Sequence, residues 1–254
     1  MAAVGAFLAV YLQRRALIET RQALQHERVF NSRQQFEGTF FQLLQLCRDV
    51  MQTIADGDKQ GARVLESWAA GLESKVRSIN VEDLNLYLVD LAIAYEREVY
   101  LRHPSALGPY FRLLYQTFKL IDEMPDSIVS RDEKTRYANI ARGQISEGAI
   151  LLLALAAVTP RGERFVPLIE TYGLLEHMHG RYMGRYRKAL DTMYQPSAFM
   201  GSLDRQQAQH RDMADRIRDI REKVADGIRR ERMLTEGGPP DADDLALEEQ
   251  GPAR

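Results

Sequence analysis

The chain is poor in the residues that cross-link, break and bend proteins. Its 254 residues include one cysteine, Cys47, which excludes an intramolecular disulfide and a cysteine-based zinc site and suits a reducing compartment. Nine prolines and seventeen glycines are too few for a loop-rich all-β chain or a low-complexity linker. Net charge is small as well. The 34 basic and 36 acidic residues leave −2, which excludes a dominant nucleic-acid footprint. Sustained period-two alternation and an Asn-Gly hairpin signal are both missing, so half-buried strands are not expected. No apolar run reaches the roughly 20 residues that a membrane-spanning helix needs. Chemical signatures are equally scarce: the sequence holds no Walker-type phosphate loop, no G-x-G-x-x-G after a strand, no G-x-S-x-G elbow and no H-E-x-x-H. Neither a cofactor nor a metal is implied.

What is present is ordinary globular material, 45% apolar and 28% charged, with enough chain for a substantial core. Residues 1–12 (MAAVGAFLAVYL) are apolar and are followed by Gln13-Arg14-Arg15. Twelve helical residues cover roughly 18 Å against about 30 Å of bilayer hydrocarbon. The basic residues follow the apolar run, whereas in a signal peptide they precede it. The expectation is the end of a transmembrane helix, with a short membrane dip or a buried helix as alternatives. The arginines then place the rest of the chain at the cytoplasmic face of the inner membrane. If Met1 is the true start, a cytoplasmic location is expected instead.

Helical periodicity carries the remainder. Ala6 to Glu37 contains no glycine or proline, which extends the apolar segment as a polar juxtamembrane helix over residues 13–30. Phe36, Phe40, Leu43, Cys47, Val50 and Ile54 recur at helical spacing, which makes Cys47 a core thiol. Further stripes are Leu65, Trp68, Leu72 and Val76; Leu84, Tyr87, Leu88, Leu91 and Tyr95; and Phe111, Leu114, Tyr115, Phe118 and Ile121. A long helix capped by Asp132 is expected to reach Val158, its apolar second half serving as a central core helix. Phe165 to Leu175 and Tyr182 to Tyr194 are further helices. The last helix, over residues 201–234, shows a narrow stripe of Met213, Ile217, Ile220, Val224 and Ile228. Asp212, Asp219 and Asp226 there face Arg216, Lys223 and Arg230 at i+4. That pattern fits a coiled-coil seam, and a surface helix docked on its own core is the alternative. Residues 235–254 hold six acids and one base and form a disordered acidic tail. The expected fold is all-α, a multi-helix bundle over residues 31–200 between a long N-terminal juxtamembrane helix and a long charged C-terminal helix.

Candidate chemistry is sparse. Glu176 and His179 have the spacing of half a di-iron site, but no second Glu-x-x-His accompanies them, and His177 and His179 are expected to be solvated histidines. Arg-x-x-x-x-His occurs twice, at Arg21–His26 and Arg205–His210. Small all-α ribonucleases of the HEPN class carry a motif of this spacing, in which His moves a proton and Arg stabilises phosphorane charge. Both copies lie in polar helices and not beside an apolar cleft. Arg181, Arg185, Arg187 and Lys188, interleaved with Tyr182 and Tyr186, could meet phosphate or lipid, and a solvated helix face is the plainer reading.

Three stretches carry a family resemblance: residues 36–44 (FEGTFFQLL), residues 110–122 (YFRLLYQTFKLID) and the pair 137–147 (YANIARGQISE) and 165–175 (FVPLIETYGLL). In order and spacing they resemble the AbiC-like phage abortive infection proteins of bacteria, over about residues 30–180. The chain departs from that pattern at Ala154-Leu155-Ala156-Ala157-Val158, where the family is more polar and aromatic. It also departs at the N-terminus, where the family usually begins with transmembrane helices. The resemblance implies antiphage defence by abortive infection and supplies no catalytic residue. Within the matching motifs, Arg112, Asp122, Arg142, Gln144, Ser146 and Glu147 form a candidate buried polar network, since polar groups are costly to bury unless paired. The expected protein is a membrane-associated sensor and effector without a recognisable catalytic site. Its partners would be the membrane, a phage-derived trigger or host partner, and a second copy of itself. The alternatives are a HEPN-like ribonuclease and a non-enzymatic helical scaffold or regulator.

Overall fold

The stretch without glycine or proline between Ala6 and Glu37 lies inside one uninterrupted helix, α1 (Ala2–Thr53). The computed structural model describes residues 2–75, 84–178, 185–200 and 214–236. After α1 come β1 (Ala55–Asp56), β2 (Lys59–Gln60), α2 (Ala62–Gly71), α3 (Leu84–Tyr95), α4 (Pro104–Glu123), α5 (Arg131–Arg142), α6 (Glu147–Val158), α7 (Val166–Tyr172), α8 (Arg185–Leu190) and α9 (Ala214–Glu236). No single helix among the described residues is long and apolar enough to cross a membrane.

Two differences from the sequence expectation are local. The fold is all-α as expected, apart from a short hairpin at residues 55–60, where β1 and β2 pair antiparallel, Ala55 with Gln60 and Asp56 with Lys59. Gly57 makes this possible, because its φ of 61° supplies the positive-φ corner of a two-residue hairpin loop. The helix expected to run through to Val158 is two helices. Ser130, not Asp132, caps α5, and the Glu133 carboxylate accepts from both its backbone N–H (3.0 Å) and its hydroxyl (2.9 Å). The chain then leaves the helix at Gly143 and restarts at Ser146, whose hydroxyl accepts from the Ala149 N–H at 3.4 Å.

The chain divides into two compact units, residues 1–54 with 108–145 and residues 55–107 with 146–254. In the first unit α1 buries Phe36, Phe40, Leu44 and Cys47, while Leu43 and Val50 are only half-buried. From α4 come Tyr110, Leu114, Phe118 and Ile121, and from α5 and its flanks Val129, Ala138, Ala141 and Ile145. Tyr137 sets its ring edge-on to Phe36 and Phe40, with centroids 4.9 and 5.1 Å apart, which locks α5 to α1.

The second unit is built around α6. Every residue of α6 except Glu147 and Ala156 is buried, as expected for a central core helix. It lies close against α2 because Gly148 has no side chain: a Cβ there would stand 2.7 Å from the Glu66 Cα. Glu66 in turn accepts the Gly148 N–H at 2.8 Å, satisfying an open donor at the α6 N-terminus. Tyr194 donates its hydroxyl to the Ala154 carbonyl at 2.7 Å. On α2, Trp68 donates to Asp56 at 2.7 Å and stacks on His103 with 4.2 Å between ring centroids. Ile220, Val224 and Ile228 are buried, and α9 packs on α3 and α6, with Gly227 facing Ile93. Asp226 pairs with Arg229, whereas Arg230 donates to the Asp226 carbonyl at 3.4 Å. Val76, Met213, Asp212 and residues 237–254 lie outside the described residues, as do the side chains of Ile217 and Asp219.

Candidate functional site

The residues expected to form one buried polar network differ in burial. Arg112 and Asp122 are exposed on α4, and the Asp122 backbone carbonyl accepts from Lys134 Nζ at 3.1 Å. Arg142 is buried at the end of α5 and Gln144 is exposed in the turn that follows. Ser146 caps α6 and Glu147, half-buried, opens it. The first four belong to one unit and the last two to the other. Arg21 and His26 are exposed on α1. Five residues of unbroken helix set them about 140° apart around the axis. Arg205, His210, Arg181, Tyr182 and His179 lie outside the described residues. In the basic stretch, Tyr186 is buried, Lys188 is exposed, and the Arg187 guanidinium lies 3.6 Å above the Phe199 ring while bonding Asp191 at 2.9 Å. Among the described residues no three His, Cys, Asp or Glu side chains are grouped to hold a metal.

The first unit holds a polar junction that the sequence reading missed. Glu37 Oε1 accepts from Arg33 Nε at 3.1 Å and from the Tyr137 hydroxyl at 2.7 Å. Arg33 also donates to Glu133 Oε1 at 2.7 Å, so one guanidinium spans a carboxylate from α1 and one from α5. The Ser130 backbone N–H and hydroxyl, followed by Arg33, hold the Glu133 carboxyl down at about 2. Glu37 is lowered first by Tyr137 and then by Arg33, and Tyr137 is raised by burial and then by Glu37. Both acids are therefore ionised and engaged, an arrangement that fixes helix register. The Ser130-x-x-Glu133 capping box was the available sequence signal.

The same unit also holds a cavity of about 120 Å³, lined by Leu44, Cys47, Met51, Tyr110, Leu114 and Ile145 together with Arg48, Gln52 and Gln144. Burial raises the Cys47 thiol, partly offset by the Thr117 hydroxyl 3.9 Å away, and burial raises the Tyr110 phenol. Both groups stay neutral near pH 7, so the cavity presents a weakly polar thiol and not a thiolate nucleophile.

The second unit contains a buried charge at a helix irregularity. Beyond α3 the backbone makes one π-helical turn, Glu96–Tyr100, closed by the Leu101 N–H on the Glu96 carbonyl at 2.9 Å. Such turns recur at functional sites. Glu96 is 3% exposed and pairs with Arg161 at 3.1 Å, and the Arg161 guanidinium lies 4.9 Å over the Tyr100 ring. Arg161 comes from the turn after α6, so the pair ties that turn to the π-helical segment. Next to it, Glu98 bonds Arg97 at 2.8 Å and Arg102 at 2.6 Å and is lowered, Arg97 contributing most.

Residues 102–182 match the family model described as "Putative phage abortive infection protein". The match covers α4 to α7 and takes in Arg161 and the α5–α6 turn. It contains the stretches beginning at Tyr110, Tyr137 and Phe165, and leaves out the one beginning at Phe36. No curated protein and no solved structure matches the chain.

Proposed function

We propose that this chain serves phage abortive infection as a membrane-associated sensor and effector at the cytoplasmic face of the inner membrane. The observation that carries the defence role is the family match over residues 102–182. The membrane role is supported by the apolar sequence of residues 1–12 and by α1, which continues from them without a break to Thr53. A phage product or host partner binding the helical body would reach the membrane through α1, because a continuous helix transmits displacement along its axis. The polar junction of Arg33, Glu37, Glu133 and Tyr137 joins α1 to α5 and is the element through which such a signal would pass.

A phage challenge at low and high multiplicity tests the defence role. The expected result is protection at low multiplicity and culture collapse at high multiplicity. Equal lysis with and without the gene across a diverse phage panel would refute it. Fractionation tests the membrane role separately: the full chain is expected in the membrane pellet, and recovery wholly in the soluble fraction would remove that part.

A further inference from the structure

Every residue of α1 from Gln13 to Asn31 is exposed, a length of roughly 28 Å at about 1.5 Å per residue. Arg14, Arg21 and Arg28 recur at intervals of seven along this arm and so form one stripe, drifting only about 20° per interval. Leu17 and Leu24, 50% and 49% exposed, border it on one side, and Ile18 and Val29, 47% and 41% exposed, on the other. Glu19 and Glu27 fall on the far side of the helix. The arginines elsewhere on α1 are engaged: Arg15 bonds Glu19 at 3.0 Å, and Arg33 bonds both Glu37 and Glu133. Arg14, Arg21 and Arg28 have no ion pair or hydrogen-bond partner among the described residues.

We infer that this face of α1 docks on an anionic lipid surface, with Arg14, Arg21 and Arg28 on the phosphates and Leu17, Ile18, Leu24 and Val29 entering the headgroup–acyl boundary. The inference rests on the membrane reading above and adds the lipid class and the residues. Charge complementarity selects an anionic partner, and the aliphatic borders select lipid over nucleic acid. Aliphatic side chains gain free energy at an acyl boundary. A nucleic-acid strand favours aromatic stacking platforms, and the arm's one aromatic residue, Phe30, falls on the side of the helix opposite the arginine stripe.

The full chain is sedimented with vesicles of phosphatidylcholine alone and of phosphatidylcholine with phosphatidylglycerol, at low salt. Each arginine near an anionic surface raises partitioning about fivefold, so three give a preference on the order of a hundredfold for the anionic vesicles, falling as salt is added. The variant carrying Arg14→Gln, Arg21→Gln and Arg28→Gln is expected to lose that preference with an unchanged circular dichroism spectrum, since all three side chains are exposed. Equal binding to both vesicles, or a preference that survives the triple substitution, overturns the inference while leaving the tether intact. Absence of binding to either vesicle overturns the tether reading as well. Tighter binding to a single-stranded RNA than to anionic vesicles, lost in the same variant, would assign the stripe to nucleic acid and overturn the lipid assignment.

Discussion

At the scale of single residues, Glu133 is a strongly perturbed carboxylate. Its folded value of about 2 lies below the ordinary 4.5, so it stabilises the fold above the ordinary range, and that contribution is lost as pH falls through about 2. Glu133→Gln is expected to lower the thermal midpoint near neutrality, with the gap to the parent protein closing between about pH 4.5 and 2. A gap that stays constant with pH would show that the carboxylate charge is not the source. Cys47, 6% exposed and raised by burial, is expected to resist thiol reagents in the native protein and to react fully in denaturant. Rapid labelling of the native protein at neutral pH would contradict its placement. The Cys47 placement was legible in the sequence because Phe36, Phe40 and Cys47 share a period. The polar junction was not. Motif membership grouped Arg112 and Asp122 with Arg142, yet only Arg142 is buried; Asp122 stands to Phe118 and Ile121 as Arg142 stands to Ala138 and Ala141, so helix phase alone does not encode the difference.

At the scale of elements, the α2–α6 contact depends on one missing side chain. A methyl at Gly148 would meet the Glu66 backbone at 2.7 Å, whereas one at Gly71 has nothing within 4 Å. Gly148→Ala is therefore expected to destabilise by about 1–3 kcal/mol, as overpacking does. Gly71→Ala, in contrast, is expected to be neutral or to stabilise by about 0.4–1 kcal/mol. Urea titrations that gave both variants the same midpoint would refute the close approach. Helices were readable where one face repeats over several turns, as on α1 and α4. Their ends were less so, because capping depends on backbone geometry that several neighbouring residues can supply. Ser130 and Asp132 are both competent N-caps, and only the reach of Glu133 back to Ser130 decides between them. The Gly143–Ser146 break was hidden by the apolar run on one side and the helix-forming run on the other. The narrow stripe of α9 is compatible in sequence with a second helix of any origin. The partner it finds on α3 is a consequence of tertiary packing, which the period does not encode.

At the scale of the whole molecule, the two units are threaded through one another in sequence, with the chain passing between them after residues 54, 107 and 145. Neither is a contiguous piece of chain. A fragment of residues 108–145 holds the α4 and α5 faces of the first unit without Phe36, Phe40 and Leu44 of α1. It is expected to show no cooperative melt until a peptide of residues 31–54 is added, and a cooperative melt of the fragment alone would refute the role given to α1. The family match of residues 102–182 likewise spans pieces of both units, so a matched sequence segment here is not a folding unit. The stacking of Trp68 on His103 has a practical sequel. Trp68 is the chain's single tryptophan, and it belongs to the second unit, whereas ellipticity sums over both. Indole emission is thus a spectroscopic label for half of the protein, and its denaturation curve laid over the ellipticity curve tells which half lets go first.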